Sequence, residues 1–354
     1  MSVQTLTATQ AMARLDQFDA VIDARSEGEF EEDHLPGAQN WPSLNNDERI
    51  RIGTLYKQVS PFEAQKMGAA LVAANISRHI QTHLHDKPKS WQPLIYCWRG
   101  GKRSHSLALI LGQIGWQVHL IEGGYKAFRK AVLTDTPNRV SPLRFQVLCG
   151  PTGSGKTRLL QFLATQGAQV LDLEGMACHR ASVLGVIPGQ PQPTQKAFET
   201  TLWNALRRLD ANRPVYVEAE SKKVGNLTIP ESLMSAMRAS PCLRLELSLE
   251  HRVQLLMEDY DYFVKNADLF CDRLDRLTDL KGREQVNEWK QSVHRGQTAT
   301  VVTQLLEKHY DPGYEASTAR NFSQFARAAL IRMPGPDQAS LVEAATATLS
   351  ASNC

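Results

Sequence analysis

Short apolar runs alternate along this chain with longer stretches whose apolar residues recur at helical spacing. Ala20–Ala24 (AVIDA) and Leu94–Cys97 (LIYC) read as buried strands, the second ending at a glycine-rich turn. Between Ser104 and Ile114 the residues Leu107, Leu109, Ile110, Leu111 and Ile114 fall at helical spacing, and Gly115 stands where a helix C-cap belongs. Val118–Ile121 is a further strand. Strand, loop and helix in repeated order predict an α/β domain with a parallel sheet. The polar stretch Leu133–Pro142 carries two prolines and reads as a linker, which divides the chain into 1–135, a linker at 136–143, and 144–354. The pattern then restarts with a strand at Phe145–Cys149, a glycine-rich turn and a helix from Lys156. Val170–Leu173, Val215–Val217 and Leu243–Leu247 are further strands. From Glu250 to about Leu306 the pattern is helical and dense in charge, and a last helix covers Gln338–Leu349. There is no internal repeat and no low-complexity tract.

Composition narrows the class without naming it. The chain has 354 residues, 42% of them hydrophobic and 22% charged, close to the globular norm, so each half can bury an ordinary core. Forty Lys and Arg against 37 Asp and Glu leave a net charge of +3, which neither demands nor excludes a nucleic-acid partner. The six cysteines (Cys97, Cys149, Cys178, Cys242, Cys271 and Cys354) form no C-x-x-C pair, which argues against zinc, and they read as reduced thiols. Met1–Gln10 lacks the apolar core of a signal peptide, and no run of about 18 apolar residues exists, so a cytoplasmic protein without a membrane span is expected.

Gly150-Pro-Thr-Gly-Ser-Gly-Lys156-Thr157 fits G-x-x-x-x-G-K-[ST] between a predicted strand and a predicted helix. Its glycines (Gly150, Gly153, Gly155) let backbone N–H groups, that of Ser154 included, converge on an anion. The helix adds its positive dipole end. Lys156 supplies a mobile charge and Thr157 a ligand for Mg²⁺. The pattern leaves the identity of the polyphosphate open. Glu218 is the leading candidate for a nearby catalytic carboxylate, with Glu220 and Asp172 behind it, though each reads equally well as an exposed strand-end charge. Arg252 opens a helix within reach of the phosphates, but as a sequence feature it reads first as solvated. Lys222 and Lys223 follow the Glu218 strand and are candidates for phosphate or RNA contact.

The second constellation is Cys97-Trp-Arg-Gly-Gly-Lys-Arg103, again between a strand and a helix. A thiol at a helix N-terminus, ringed by backbone N–H groups and flanked by Arg99, Lys102 and Arg103, is favoured as a nucleophile. Trp98, Gly100 and Gly101 complete an oxyanion cradle around it. The other five cysteines lack such surroundings and read as inert.

The first ~135 residues resemble a rhodanese domain. Val21-Ile-Asp-Ala-Arg25, Glu29-Phe30 and His34-Leu-Pro-Gly-Ala-Gln-Asn40 match one signature, and the cysteine loop and Glu122-Gly-Gly-Tyr125 match later ones. The resemblance implies that Asp23 and the cationic loop residues support the Cys97 thiol. One departure stands out: Arg103 follows Cys97 by six positions, one more than in many sulfur-transferring rhodaneses. That length resembles rhodanese-fold phosphatases and implies a cradle for a tetrahedral anion. Those phosphatases have His before the Cys, where this chain has Tyr96.

A rhodanese-like domain followed by a P-loop NTPase-like domain with a parallel sheet and a helical extension is similar to bacterial tRNA 2-selenouridine synthases. The likeness includes Asn45–Arg49, Gly53–Gln58, Leu171–Gly175 with His179-Arg180, Glu220–Gly225 and His309–Tyr314. It implies S-geranylation of wobble 2-thiouridine by geranyl diphosphate, then replacement of the geranylthio group by selenium from selenophosphate. The P-loop would hold the prenyl diphosphate, with Mg²⁺ on Thr157, and the cysteine loop would hold selenophosphate. The partners implied are 2-thiouridine tRNA and these small molecules, with no tightly bound organic cofactor and a monomeric chain. Arg273, Arg276, Lys281, Arg283, Lys290 and Arg295 are candidate phosphate contacts around Trp289, itself a candidate stacking platform or core residue. Two other readings stay open at this level: an ATP-dependent sulfurtransferase or kinase fusion, and a rhodanese-type phosphatase with a binding-only P-loop.

Overall fold

A computed structural model describes residues 3–180, 182 and 184–352 of the chain. Two compact units divide it, Met1–Thr136 with Pro193–Asn204, and Pro137–Gln192 with Ala205–Cys354. The first contains β1 (Val3–Leu6), β2 (Ala20–Asp23), β3 (Ala38–Asn40), β4 (Pro93–Tyr96) and β5 (Val118–Ile121). All pairings are parallel, in the order β1-β5-β4-β2-β3. Both faces are covered, as a parallel sheet requires. Side chains alternate across it: Ile22, Ile95 and Cys97 join one core with Trp41, Trp91 and Leu107. Val21, Leu94 and Tyr96 join another with Tyr125, Phe128 and Val132.

The second core also holds Trp203, from the helix Gln195–Leu206. Trp203 is fully buried, meets Phe128 edge-on at 5.8 Å between ring centroids, and donates its indole N–H to Asp135 at 2.9 Å. Polar contacts fasten the same segment. Thr200 donates to the buried Asp33 at 2.9 Å, Lys196 pairs with Glu32 at 2.5 Å, and Arg129 bonds both Thr200 and Glu199. The expected boundary is therefore redrawn: a stretch read as part of the phosphate-loop half completes the core of the first unit. Nor is 136–143 an extended linker, because the helix Gly124–Val140 runs through most of it with Pro137 inside.

The second unit contains β6 (Arg144–Cys149), β7 (Gln169–Leu171), β8 (Pro214–Glu218), the hairpin strands β9 (Lys223–Val224) and β10 (Leu227–Thr228), β11 (Cys242–Glu246) and β12 (Ala329–Arg332). Its main sheet is parallel, in the order β12-β11-β6-β8-β7, which puts β6 at the centre beside β8. Leu159, Leu160 and Leu163 of the helix Lys156–Thr165 pack on this sheet. β7 ends earlier than the apolar run because Asp172 caps the helix Leu173–Ala177, accepting from the Gly175 N–H at 2.7 Å. A helical subdomain, Leu249 to Asn321, buries Phe263, Phe270, Leu274, Trp289 and Leu305 together. Among the described residues no helix is long and apolar enough to cross a membrane.

Candidate active site

Two loops occupy equivalent places, each at the C-terminal end of a central parallel strand and leading into a helix. In the first unit β4 delivers Cys97, and Gly101 caps the helix Lys102–Ile114. The thiol sulfur accepts from the Gly101 N–H at 3.2 Å and from the Ser104 hydroxyl at 3.1 Å. Ser104 was not picked out in the sequence, although it lies on the first turn of a helix whose start faces the thiol. The alternation along β4 sends Tyr96 to the opposite face, where its hydroxyl accepts from the Leu35 N–H at 3.1 Å, so Tyr96 takes no part in the cradle.

The turn Glu122–Tyr125 fixes the cysteine loop. Tyr125 N–H donates to Cys97 O at 2.8 Å and Lys126 N–H to Trp98 O at 3.0 Å. The loop approaches so closely that a Cβ on Gly124 (φ +57°) would stand 2.2 Å from Cys97 O and 2.5 Å from Gly100 N. Trp98 stacks on Tyr125 with centroids 5.4 Å apart.

The cations are placed differently from expectation. Arg103 grips Glu29 at 2.7 Å and 3.3 Å, so its guanidinium ties the loop to the helix Glu27–Glu32. Burial pushes the Glu29 carboxyl up, but the bond and charge of Arg103 outweigh it and hold the group below its ordinary range. Lys102 bonds Gln65 at 3.1 Å, and Arg99 is exposed at the loop's rim. Asp23 is fully buried and gives both carboxylate oxygens to Arg25, at 2.6–3.0 Å. It supports the strand-end architecture rather than the thiol itself.

In the second unit β6 leads into Gly150–Thr157. Gly153 (φ +78°) lies against Arg252 O and Leu256, where a Cβ would come within 3.1 Å and 2.9 Å respectively. Lys156 Nζ reaches back over the loop to Gly150 O at 2.7 Å. The Ser154 hydroxyl is buried with no partner. Arg252 is buried, not solvated. It donates to Thr152 O at 2.9 Å and forks onto Asp311 at 2.9 Å and 2.6 Å, so it braces the phosphate loop instead of reaching for the phosphates. Tyr314 closes the brace, its hydroxyl accepting from Gly150 N–H. Asp311 and Tyr314 belong to the His309–Tyr314 stretch, to which the sequence assigned no role.

Thr157 donates to Glu174 at 3.3 Å, and the carboxylate oxygens of Glu174, Glu218 and Glu220 lie within 4.8 Å of one another. Glu218 ends β8 next to the loop, buried, with one oxygen unpartnered. Burial and then the charge of Glu174 push its carboxyl up to about 8, against the pull of Lys156. Glu220 is driven up for the same reasons. A set of hard oxygens with an unsatisfied buried acceptor suits a divalent cation such as Mg²⁺. Of the three acids expected here, Glu218 and Glu220 are buried site residues and Asp172 is a helix cap, while Glu174 was missed.

A cleft of about 580 Å³ spans this region, lined by Lys156, Thr157, Glu218, Lys222, Tyr260 and Tyr314 among others. Lys222 is exposed and stands 3.6 Å from Glu231. Adjoining the cleft is a smaller, almost wholly apolar slot of about 50 Å³, walled by Met257, Phe263, Val264, Phe270, Val302 and Leu305. The two share Thr152, Ser182, Leu256, Tyr260 and Tyr310. Among the helical-region candidates, Trp289 is a core residue that donates to Gln304 at 2.8 Å, and Lys290 is paired with Asp275. Four of the cysteines read as inert (Cys149, Cys178, Cys242 and Cys271) are free thiols, and Cys354 lies outside the described residues.

The comparisons with known proteins agree with this pairing of loops. Residues 7–131 match the rhodanese-like domain, and residues 143–295 match the tRNA 2-selenouridine synthase AAA domain. The chain is 38% identical over 332 residues to the tRNA 2-selenouridine synthase of Alcanivorax borkumensis, covering 85% of this chain and 90% of that one. It is 30% identical to those of Sulfurovum sp. and Aeromonas salmonicida, covering 86% and 89% of this chain and 90% and 91% of theirs. With relatives this similar along nearly their whole length, the chain belongs to the tRNA 2-selenouridine synthase family.

Proposed function

We propose that this protein S-geranylates 2-thiouridine in the tRNA anticodon with geranyl diphosphate and then exchanges the geranylthio group for selenium from selenophosphate. The observation that carries the first half is the junction of an anion-binding loop with an apolar slot. A nucleotide would bring a polar sugar and base to that place, whereas a prenyl diphosphate brings a hydrocarbon chain. A cavity of about 150 Å³ holds a benzene ring, so a slot of about 50 Å³ takes only the end of a short chain, the rest lying along the cleft.

In this reading the 2-thiouridine sulfur attacks the prenyl carbon as its bond to the diphosphate breaks. Lys156 and the loop amides take up the growing charge on the pyrophosphate. Mg²⁺ held by Thr157, Glu174, Glu218 and Glu220 would supply further charge neutralisation when bound. At the other loop Cys97 handles selenium, with the Gly101 N–H and Ser104 hydroxyl steadying the charge on its sulfur. Geranylation comes first because it converts a poor sulfur leaving group into a better one.

The carboxylate cluster favours a second reading, an ATP-dependent sulfurtransferase, since such a set also suits a Mg²⁺–nucleotide. Mass spectrometry of nucleosides from 2-thiouridine tRNA separates the two. A geranyl mass gain, replaced by selenium when selenophosphate is added, supports the transferase. No gain in a folded preparation that hydrolyses ATP in the presence of tRNA would replace it with the alternative.

A further inference from the structure

Beside the phosphate-loop cleft, with which it shares Ser182 and Tyr310, the second unit has another hollow of about 470 Å³. That volume is in the usual range for a small-molecule site. Its wall includes His179, Lys223, Asn226, Arg276 and Tyr310. Three independent features mark it. The His179 side chain is buried, 5% exposed, and its Nδ1 has no partner, a condition that native structures rarely leave unexplained. The residue before it, Cys178, is the one non-glycine with positive φ among the described residues (φ 48°, ψ 43°) and ends the helix Leu173–Ala177 there, so the chain leaves that helix at His179. Finally, Lys223 at the start of the β9–β10 hairpin and Arg276 are exposed cations with no salt-bridge partner among the described residues; burial, and after it the charge of Arg276, depresses the protonation of His179.

Two unpaired cations suit a phosphate. A neutral imidazole offers one donor and one acceptor, which suits the edge of a base, and Asn226 adds an amide. A single nucleotide combines these needs at this size. We propose that this hollow seats one nucleotide of the RNA substrate, its phosphate between Lys223 and Arg276 and its base edge against His179. The proposal rests on the tRNA-modifying reading and adds where the RNA is held. Single-stranded anticodon residues are the part of a tRNA whose bases can be splayed into such a hollow.

The test is binding of a 2-thiouridine anticodon stem-loop, followed by fluorescence anisotropy across a salt series, to the full chain and to Lys223→Ala, Arg276→Ala and His179→Ala. Each cation variant should weaken binding about tenfold at low salt and reduce the slope of log K against log salt by about 0.7–1. His179→Ala should weaken binding with the slope unchanged. Inorganic pyrophosphate binding should be the same in all four. Far-UV circular dichroism checks the fold, and the two exposed cations provide variants whose loss leaves the core untouched. Wild-type slopes and affinities in both cation variants would overturn the proposal. Failure of the unmodified chain to bind the stem-loop would instead overturn the tRNA reading on which it stands.

Discussion

Under the proposed function, single residues divide the chemistry between the two loops. Cys97→Ser should abolish selenium transfer while leaving geranylation intact, as measured by nucleoside mass spectrometry. Loss of both in a folded variant would contradict the division of labour. In Lys156→Ala prenyl transfer should fail first, because its ammonium is the mobile charge of the phosphate loop, while tRNA supplied already geranylated should still exchange its geranylthio group for selenium. Glu218 makes a prediction about pH. Its carboxyl, at about 8 in the fold against 4.5 ordinarily, keeps its proton when the unfolded chain has lost it. Its contribution to stability is therefore complete below about pH 4.5 and declines as pH rises toward 8. Melting temperatures across that window should fall less in Glu218→Gln than in the unmodified chain. Added Mg²⁺ should raise the melting temperature at pH 8 in the unmodified chain and do so less in the variant.

At the scale of elements, turns and strand ends hold the loops in place. Gly124→Ala would push a Cβ into Cys97 O and should cost about 2–4 kcal/mol in urea denaturation. Gly37→Ala, also at positive φ but with open space around it, should cost about 1 kcal/mol. The central strands were legible because a buried strand leaves a run of apolar residues, or in β11 an alternation of leucine with charge: β2, β4, β5, β6, β8 and β11 all fall within a residue or so of the pattern. β1, β3 and β12 were not, because each is an edge strand. Val3–Leu6 and Ala329–Arg332 are mostly exposed, and Ala38–Asn40 is three residues long, so none carries more than a short apolar run. Glycine-rich motifs revealed both loops. The parts supplied by distant sequence, such as Asp311 and Tyr314 on the phosphate loop and Glu29 on Arg103, have no local signal. A charged or phenolic side chain reads as solvated until its partner is known.

For the molecule as a whole, the order of residues is not the order of the cores. The first unit borrows Pro193–Asn204 from beyond the phosphate loop, with Trp203 buried in its interior. Trp203→Ala should destabilise that unit by about 3–5 kcal/mol, read as a shift in its urea transition. A chain cut after Thr136 should be less stable than one to which 193–204 is restored as a peptide. Sequence alone placed the boundary at the polar two-proline stretch, where the first unit's continuous part does end, at Thr136, but it missed the returning segment and the helix that fills the stretch, for a physical reason. Pro137 is accommodated within the helix Gly124–Val140, and a tryptophan in an amphipathic helix gives no sign of which core it enters.

This borrowed helix sets a timetable on the ribosome. Residues 1–136 emerge first with their sheet already encoded, yet the face that receives Trp203 stays open until the phosphate loop and the strands around it have been made. At about 5–20 residues per second, that leaves an apolar surface uncovered for several seconds of translation. The rhodanese-like unit can therefore complete its core only after residue 204 has been made.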